Sequence, residues 1–561
     1  LSSADMEMTR NIYLFTLKKE TLSPFARESD EVETEEENGE DEGETEEKRE
    51  EEQLLEIDLD GIQNRIIDVP VEAGNYYGLG SAKEDELLYI VNSNGKRTMH
   101  KYDIREQKDE EVAEMDGYVL SADRSKMLYR SGGSWGIADA GTKPSPEKGM
   151  LNTGAIEVKI DPSAEWPQIF DEAWRINRDY FYDPGMHGAD WTAMKEKYAQ
   201  FLPHLSCRSD LNRVIQWMCS NLAVGHHRVG GGETLDEPER VGGGLLGADF
   251  AVENNRYRIK KVFEGLNWNP NLRSPLTEPG LNVEAGEYIL TVDGKELTAG
   301  ENIFKFFENT DGKIVELEVG PEPDGIGSRE IRVVPVGSES SLRNRDWVEG
   351  NLARVTEATG GQVAYVYVPN TAGAGHEYFK RYFFPQSDRK AIIVDERFNG
   401  GGLIADYYID ILSRRYQSHW TMRYTEDFKT PTASIQGPKV MLINELAGSG
   451  GDMLPWMFSK FEMGKLIGKR TWGGLVGTLG FPELMDGGYV NAPNLAIWTK
   501  EGFIVENKGV PPDIEVEQTP AEVIKGIDPQ LEKAIEVVME ALEENPPPDP
   551  ERPPYPDRAM D

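Results

Sequence analysis

Leu442-Ile443-Asn444-Glu445-Leu446-Ala447-Gly448-Ser449-Gly450-Gly451-Asp452 is an apolar run that breaks at a glycine-flanked serine and passes at once into a helix-like stretch. Lys439 to Asn444 reads as a short buried strand and Asp452 to Phe461 as a helix, whose Pro455 is tolerable only in the first turn. A serine at a strand-to-helix turn exposes its hydroxyl and has helix N-terminal amides nearby to receive negative charge. Ser449 is therefore a candidate nucleophile. The same letters also suit an ordinary glycine-rich loop before a helix, so the flanking chain has to decide.

Immediately upstream, Val363 to Val368 and Lys390 to Asp395 have the apolar continuity of buried strands, separated by a helix over Glu377 to Phe384. The second strand ends in Arg397-Phe398-Asn399-Gly400-Gly401-Gly402, and a helix follows over Leu403 to Arg415. Three glycines after a strand allow close backbone approach to a ligand. Without a P-loop lysine or G-x-G-x-x-G spacing, the loop suits an oxyanion or a substrate backbone better than a nucleotide.

Further upstream, Gly242 to Val336 alternates like strands, with Gly242-Gly243-Gly244-Leu245-Leu246-Gly247 at its start, an Asp293-Gly294-Lys295 hairpin and a helix over Glu301 to Phe307. This segment resembles a PDZ domain, in which a glycine-leucine loop offers amides to a peptide carboxylate and the peptide adds a strand to the sheet edge. Before it, Trp166, Ile169, Phe170, Ala173 and Trp174 recur at helical spacing. Leu211, Val214, Ile215, Met218 and Leu222 do so again after a Ser209-Asp210 start signal. That second helix delivers Gly225-His226-His227-Arg228. Either histidine could act as a base or simply lie at the surface, and no H-E-x-x-H or carboxylate spacing makes them metal ligands.

Residues 1 to about 145 read as short strands: Ile12–Leu17, Leu54–Leu59, Ile66–Val71, Leu87–Val91, Tyr118–Leu120 and Met127–Arg130. The segment Ser81-Ala82-Lys83 to Leu88-Tyr89 recurs forty residues on as Ser121-Ala122-Asp123 to Leu128-Tyr129. Roughly 40 residues is the period of a four-stranded propeller blade, although a single repeat pair also suits two similar hairpins, and the strands are too few to close a ring. Glu28 to Glu52 is almost wholly acidic and polar, a disordered insertion that could also dock a basic partner.

The 561 residues imply several domains. A net charge of -40 argues against nucleic acid and anionic membrane as partners, and no apolar run approaches a membrane span. Cys207 and Cys219 support neither a disulfide framework nor a zinc site. The chain opens at Leu1 without an initiator methionine or signal-like segment, so its native N-terminus is expected elsewhere.

Taken in order, the strand repeat, the histidine loop, the PDZ-like segment, Arg397-Phe398-Asn399-Gly400-Gly401-Gly402 and Asn444-Glu445-x-Ala447-Gly448-Ser449-Gly450-Gly451-Asp452 closely resemble the C-terminal half of the tricorn protease family, related to the C-terminal processing peptidases. Asp179-Tyr180-Phe181-Tyr182-Asp183-Pro184 and Met186-His187-Gly188 belong to the same likeness. The resemblance implies a multidomain chain: a partial β-propeller over 1–150 with the acidic insertion at 28–53, a mainly helical first catalytic subdomain over 151–236, a PDZ-like β domain over 237–337, an α/β second catalytic subdomain over 338–545, and a proline-rich tail over 546–561.

It also implies Ser449 as nucleophile, His226 as general base and Glu506 as the acid that orients it. Oxyanion donors would be Gly450 and the Gly400, Gly401 and Gly402 loop, with Gly477, Thr478 and Leu479 along the substrate strand. The position before the histidine, a serine in the family, is Gly225 here, so the relay must use water or a direct approach by Glu506. The residue after the nucleophile is Gly450 in place of the archaeal aspartate. Trp420 and Arg423 stand in the region where the family's acidic specificity residue is sought. The implied protein is a cytoplasmic serine endopeptidase or oligopeptidase acting on peptides or unfolded polypeptides, without metal or cofactor, in a ring of subunits. The alternative is an inactive peptide-binding scaffold built on the PDZ-like domain.

Overall fold

The structure is a computed structural model that describes residues 5–6, 8–25, 56–93, 95–145, 148–234 and 238–558. The acidic run expected to be a disordered insertion, 28–53, lies outside the described residues. The chain forms two compact units, Asp5–Ile160 and Asp161–Asp561.

The first unit contains two four-stranded antiparallel meanders. One runs through Tyr76–Gly80, Glu86–Ser93, Lys96–Asp103 and Lys108–Glu114, the other through Gly117–Leu120, Lys126–Ser131, Ser134–Asp139 and Met150–Leu151. The forty-residue repeat falls at equivalent places, since Ser81–Tyr89 and Ser121–Tyr129 each lead through a turn into the second strand. Leu88, Ile90 and Met99 of one meander share a buried cluster with Met127 and Tyr129 of the other. Tyr13–Phe15 pairs with Ile66–Asp68. The strand expected over Leu54–Leu59 is not formed by residues 56–59, where Ile57 and Leu59 are exposed without a pairing partner strand.

The second unit begins with helices α1 (Pro162–Tyr180), α2 (Trp191–Ala199) and α3 (Arg208–Ser220), capped at Asp161, Asp190 and Cys207. Their apolar faces meet around Ile169, Phe170, Leu211, Ile215 and Met218. This core is not contiguous in sequence: Leu484, Val490 and Ala492 enter it from far downstream. Val229–Gly230 pairs with Tyr489–Val490, and Arg208 meets Asp486 in an ion pair whose side chains are only 3% and 2% exposed. A returning segment thus locks the helices to the rest of the unit.

Next comes an antiparallel sheet in the order Ala248–Glu253, Arg256–Val262, Tyr288–Val292, Val315–Gly320, Arg329–Val333, with Lys295–Glu296 closing the expected hairpin on Tyr288–Val292. The helix expected over Glu301–Phe307 is a 3-10 turn, Ile303–Phe307, that buries Ile303 and Phe307. Helix α4 (Ser340–Ala358), unmarked by the sequence reading, leads out of this sheet. Its charged, weakly amphipathic sequence hides a buried stripe of Leu342, Val348 and Val355.

The last part is a five-stranded parallel sheet in the order Val363–Tyr367, Ala391–Asp395, Lys439–Ile443, Gly464–Gly468, Ile514–Glu515. Helices α5 (Gly373–Phe383), α6 (Ala405–Leu412), α7 (Gly450–Lys460), α8 (Pro520–Ile524) and α9 (Pro529–Glu544) accompany it. The first three strands are apolar almost throughout, as strands covered on both faces must be. Lys439–Ile443 is central and carries Ser449 just past its C-terminal end. Helix α7 starts at Gly450, two residues earlier than expected, so Pro455 lies in the second turn rather than the first, and one intrahelical bond is forgone.

Candidate active site

Ser449 has φ 59° and ψ -116°, a backbone state that a residue with a Cβ adopts only under constraint. The constraint is Asp452, fully buried in the first turn of α7. It accepts from the N–H of Ser449 (2.9 Å), Gly473 (2.8 Å) and Gly474 (3.0 Å) and from the Thr471 hydroxyl. Burial pushes the Asp452 carboxyl pKa upward, against the downward pull of these four donors. Gly448 N–H donates to Asn399 O (3.0 Å), and Trp472 N–H to Ala447 O (2.9 Å). The elbow is thereby fixed from both sides. Glycine is required beside it: a Cβ on Gly401 would lie 2.6 Å from Ser449 Cβ, and one on Gly450 would lie 1.9 Å from the buried Thr371 Oγ1.

The glycine loop contributes fewer donors than the sequence reading expected. Gly400 N–H already donates to Pro369 O (2.9 Å), and Gly401 N–H to Asn399 Oδ1 (2.9 Å). Gly402 and Gly450 are different. Among the described residues neither N–H donates to an acceptor, and the Gly402 nitrogen lies 2.8 Å from where a Cβ on Gly450 would stand. Those two amides are the pair that can face an oxyanion. Under the loop, Arg397 is buried between Asp395 (2.7 Å) and Asp528 (2.9 Å), anchoring the strand end to α9.

His226 lies in the loop that follows α3. Its ring packs edge-on against Trp472 at 5.3 Å between centroids, and Gly448 crowds the same indole. One side chain therefore walls both halves. Burial lowers the His226 pKa below the usual 6.5, opposed by the Glu506 carboxylate. That shift favours the neutral imidazole, the form able to accept a proton. Ser449 Oγ and His226 form no hydrogen bond in this structure, and His226 Nδ1 is buried without a partner.

Glu506 does not reach the imidazole either, contrary to the direct approach considered from sequence. Oε1 accepts from Gly225 N–H (2.7 Å), and Oε2 from the N–H of Leu475 and Val476 (2.7 Å each). The reason is steric. A Cβ on Gly225 would stand 2.9 Å from Gly474 Cα and 3.2 Å from the Trp472 ring, so the backbone comes close enough for its own N–H to bind the carboxylate. Asn507 Nδ2 reinforces the clamp by donating to Ala223 O (2.7 Å). The neighbouring His227 serves structure: its Nε2 bonds Asn177 Oδ1 of α1 (2.7 Å), its ring stacks on Phe181, and burial lowers its pKa to about 4.

On the expected substrate strand, Gly477 exchanges backbone hydrogen bonds with Leu495 (2.9 and 3.1 Å), Leu479 N–H donates to Asn494 Oδ1 (2.6 Å), and Thr478 lies between them. Trp420 lies in a separate hairpin, Ser418–Trp420 with Phe428–Thr430, stacked on Phe428; Arg423 is exposed in its turn. Among the described residues no group of three His, Cys, Asp or Glu could hold a metal ion, and no helix is long and apolar enough to cross a membrane. Sequence reasoning missed the supporting roles of Asp452, Asn399, Trp472 and Asn507. Only Asp452 left a signal, as an acid at the third position of the helix after the serine.

Residues 162–220 match the Tricorn protease C1 domain family, 244–338 the Tricorn protease PDZ domain family, and 362–516 Peptidase family S41. The chain is 31% identical to Tricorn protease homolog 1 of Streptomyces coelicolor, over 87% of this chain and 48% of that protein. It is 30% identical to the Tricorn protease of Thermoplasma acidophilum, over 87% and 46%. A crystal structure of the tricorn protease superposes with a TM-score of 0.80 at 30% identity, covering 87% of this chain and 48% of that one. The chain spans about half the length of the curated relatives it matches.

Proposed function

Because the chain belongs to the tricorn protease family, we propose that it is a serine peptidase that hydrolyses peptides or unfolded polypeptides through an acyl-enzyme. The observation that carries the reading is the strained Ser449 elbow, set beside the two unengaged amides of Gly402 and Gly450. His226 Nε2 takes the proton from Ser449 Oγ as the oxygen attacks the scissile carbonyl, then returns it to the leaving amine. The carbonyl oxygen, now negative, is met by the Gly402 and Gly450 N–H groups, and losing one such donor typically costs about 3 kcal/mol of transition-state stabilisation. A water deprotonated by the same imidazole then releases the acyl group.

Glu506 stabilises the imidazolium through space and holds Gly225, which fixes the ring's starting point. Thr478, next to the Gly477–Leu495 bridge, would pair with the substrate backbone. The two four-stranded meanders of the first unit have the strand count and the roughly forty-residue period of propeller blades.

A fluorophosphonate probe tests the central claim. It should label the native chain and leave Ser449→Ala unlabelled, and a peptide library should be cleaved only by the former. A folded native chain that takes no label and cleaves nothing while still binding peptides would identify a scaffold instead.

A further inference from the structure

Among the described residues the PDZ-like sheet ends in an unshared edge: Ala248–Glu253 pairs on one side with Arg256–Val262 and no described strand pairs with its other side. Beside that edge a cavity of about 230 Å³ opens over Leu246, Ala248, Ile303 and Phe307, with Asp249 and Arg343 at its rim. Such a groove suits an extended polypeptide that adds a strand and drops an apolar side chain onto the floor. What decides whether it also takes a chain end is the glycine-leucine loop before the strand, because clustered backbone N–H groups are what bind a terminal carboxylate.

That loop is already occupied from within the chain. Leu245 N–H donates to Val336 O (2.8 Å). Gly247 N–H donates to Glu339 Oε2 (3.1 Å). The other carboxylate oxygen, Oε1, accepts from Arg343 Nε (2.8 Å) one helical turn on. Arg343 in turn bonds Asp249 (2.8 Å) and lies over the Phe263 ring at 4.5 Å, so the guanidinium is held on three sides. The Glu339 side chain is only 12% exposed. It makes no cap to α4, which it precedes, so its carboxylate is not engaged in starting that helix.

We propose that Glu339 is a built-in carboxylate ligand that closes the amide loop of the PDZ-like groove. The native groove therefore accepts polypeptide through its edge strand and apolar floor and rejects a free terminal carboxylate, which would have to share the loop with a like charge. Chain interiors, rather than chain ends, are what it presents to the rest of the unit. Removing Glu339 converts the groove into a chain-end receptor.

The test uses the full chain carrying Ser449→Ala, so that peptides are bound and not cut. Anisotropy of a labelled decapeptide ending in leucine is compared for its free acid and its C-terminal amide. The parent should bind both alike. Glu339→Ala should favour the acid by about tenfold, as for a gained charge-assisted hydrogen bond without a competing anion. Glu339→Gln, which keeps the shape and loses the charge, should show a smaller acid preference, and Arg343→Ala one between Gln and the parent. The proposal is overturned if the parent already prefers the acid as strongly as Glu339→Ala. It is equally overturned if Glu339→Ala, with native near-UV dichroism, binds acid and amide alike or binds neither. Should Glu339→Ala fail to fold, the isosteric Glu339→Gln carries the same comparison with the parent.

Discussion

The serine half and the histidine half of the proposed site are each organised by one carboxylate, and the two work at very different ranges. Asp452 gathers donors lying between Ser449 and Gly474, all belonging to one strand-turn-helix and the loop that follows its neighbour. Glu506 reaches Gly225 across 281 residues of sequence and ties the loop after α3 to a distant segment of the same unit. The local cluster over-determines a strained backbone, which is what a φ of 59° at a serine requires. The long-range clamp has one bond to the histidine loop, supported by Asn507, and does not itself bond the imidazole, whose Nδ1 is buried without a partner among the described residues. The nucleophile is therefore the rigid half and the base the adjustable one.

Breaking the rigid half should have the largest effect. Asp452→Ala leaves buried donors from four residues unsatisfied, and the loss should reach about 3–5 kcal/mol. Urea denaturation would measure it, and probe labelling of Ser449 should vanish in whatever fraction remains folded. The isosteric Asp452→Asn should lose less stability but still lose labelling, since an amide cannot accept from all four donors. Labelling at the native rate in Asp452→Asn would mean that the elbow is set by Asn399 and Trp472 without it.

Breaking the long-range clamp should cost activity more than stability. Glu506→Gln removes the charge facing the imidazolium, and a fall of about 10²–10⁴-fold in kcat is expected, with KM little changed. The pH profile sharpens the point. His226 is active when neutral and its pKa lies below 6.5, so kcat/KM should rise with pH through a limb centred below 6.5 and be level at pH 7. Glu506 raises that pKa, so the variant's limb should move to lower pH. A limb that stays in place would separate Glu506 from the base. The same group adds stability as pH rises toward 6.5, because the unfolded imidazole binds its proton more readily.

These two carboxylates also mark what the sequence could reveal. The Ser449 half was legible because its determinants are adjacent: strand, glycine-flanked serine and helix all fall between Lys439 and Lys460, and buried parallel strands announce themselves as apolar runs. The helical stripes around Ile169 and Ile215 were legible for the same reason. What escaped depends on approach between distant segments. Gly400 and Gly401 looked like oxyanion donors until Pro369 and Asn399 were seen to hold their amides. Helix α4 escaped because its apolar stripe is sparse among charges, and the 481–493 segment because nothing local says that Leu484 and Val490 complete a core begun at Ile169. Glu506 emerged only through family likeness, since one glutamate among so many carries no local signature.

The smallest and most discriminating change is Gly225→Ser, which introduces the serine that the family resemblance implies before the histidine. If a hydroxyl at that position were all the relay lacked, the substitution would raise kcat. The surroundings predict the reverse. The new Cβ would stand 2.9 Å from Gly474 Cα and 3.2 Å from Trp472, and neither a backbone carbon nor a packed indole yields at little cost. Relief requires the 472–476 segment to move outward, and that segment supplies the two amides that hold Glu506 Oε2. The serine thus loosens the clamp it is meant to complete. A stability loss of about 1–3 kcal/mol is expected, as for other overpacked positions, together with a decrease in kcat smaller than that of Glu506→Gln. Thermal unfolding and single-turnover acylation measured side by side would decide it. A Gly225→Ser chain as stable as the parent and faster in acylation would show the base half to be as forgiving in its packing as it is sparse in its hydrogen bonds.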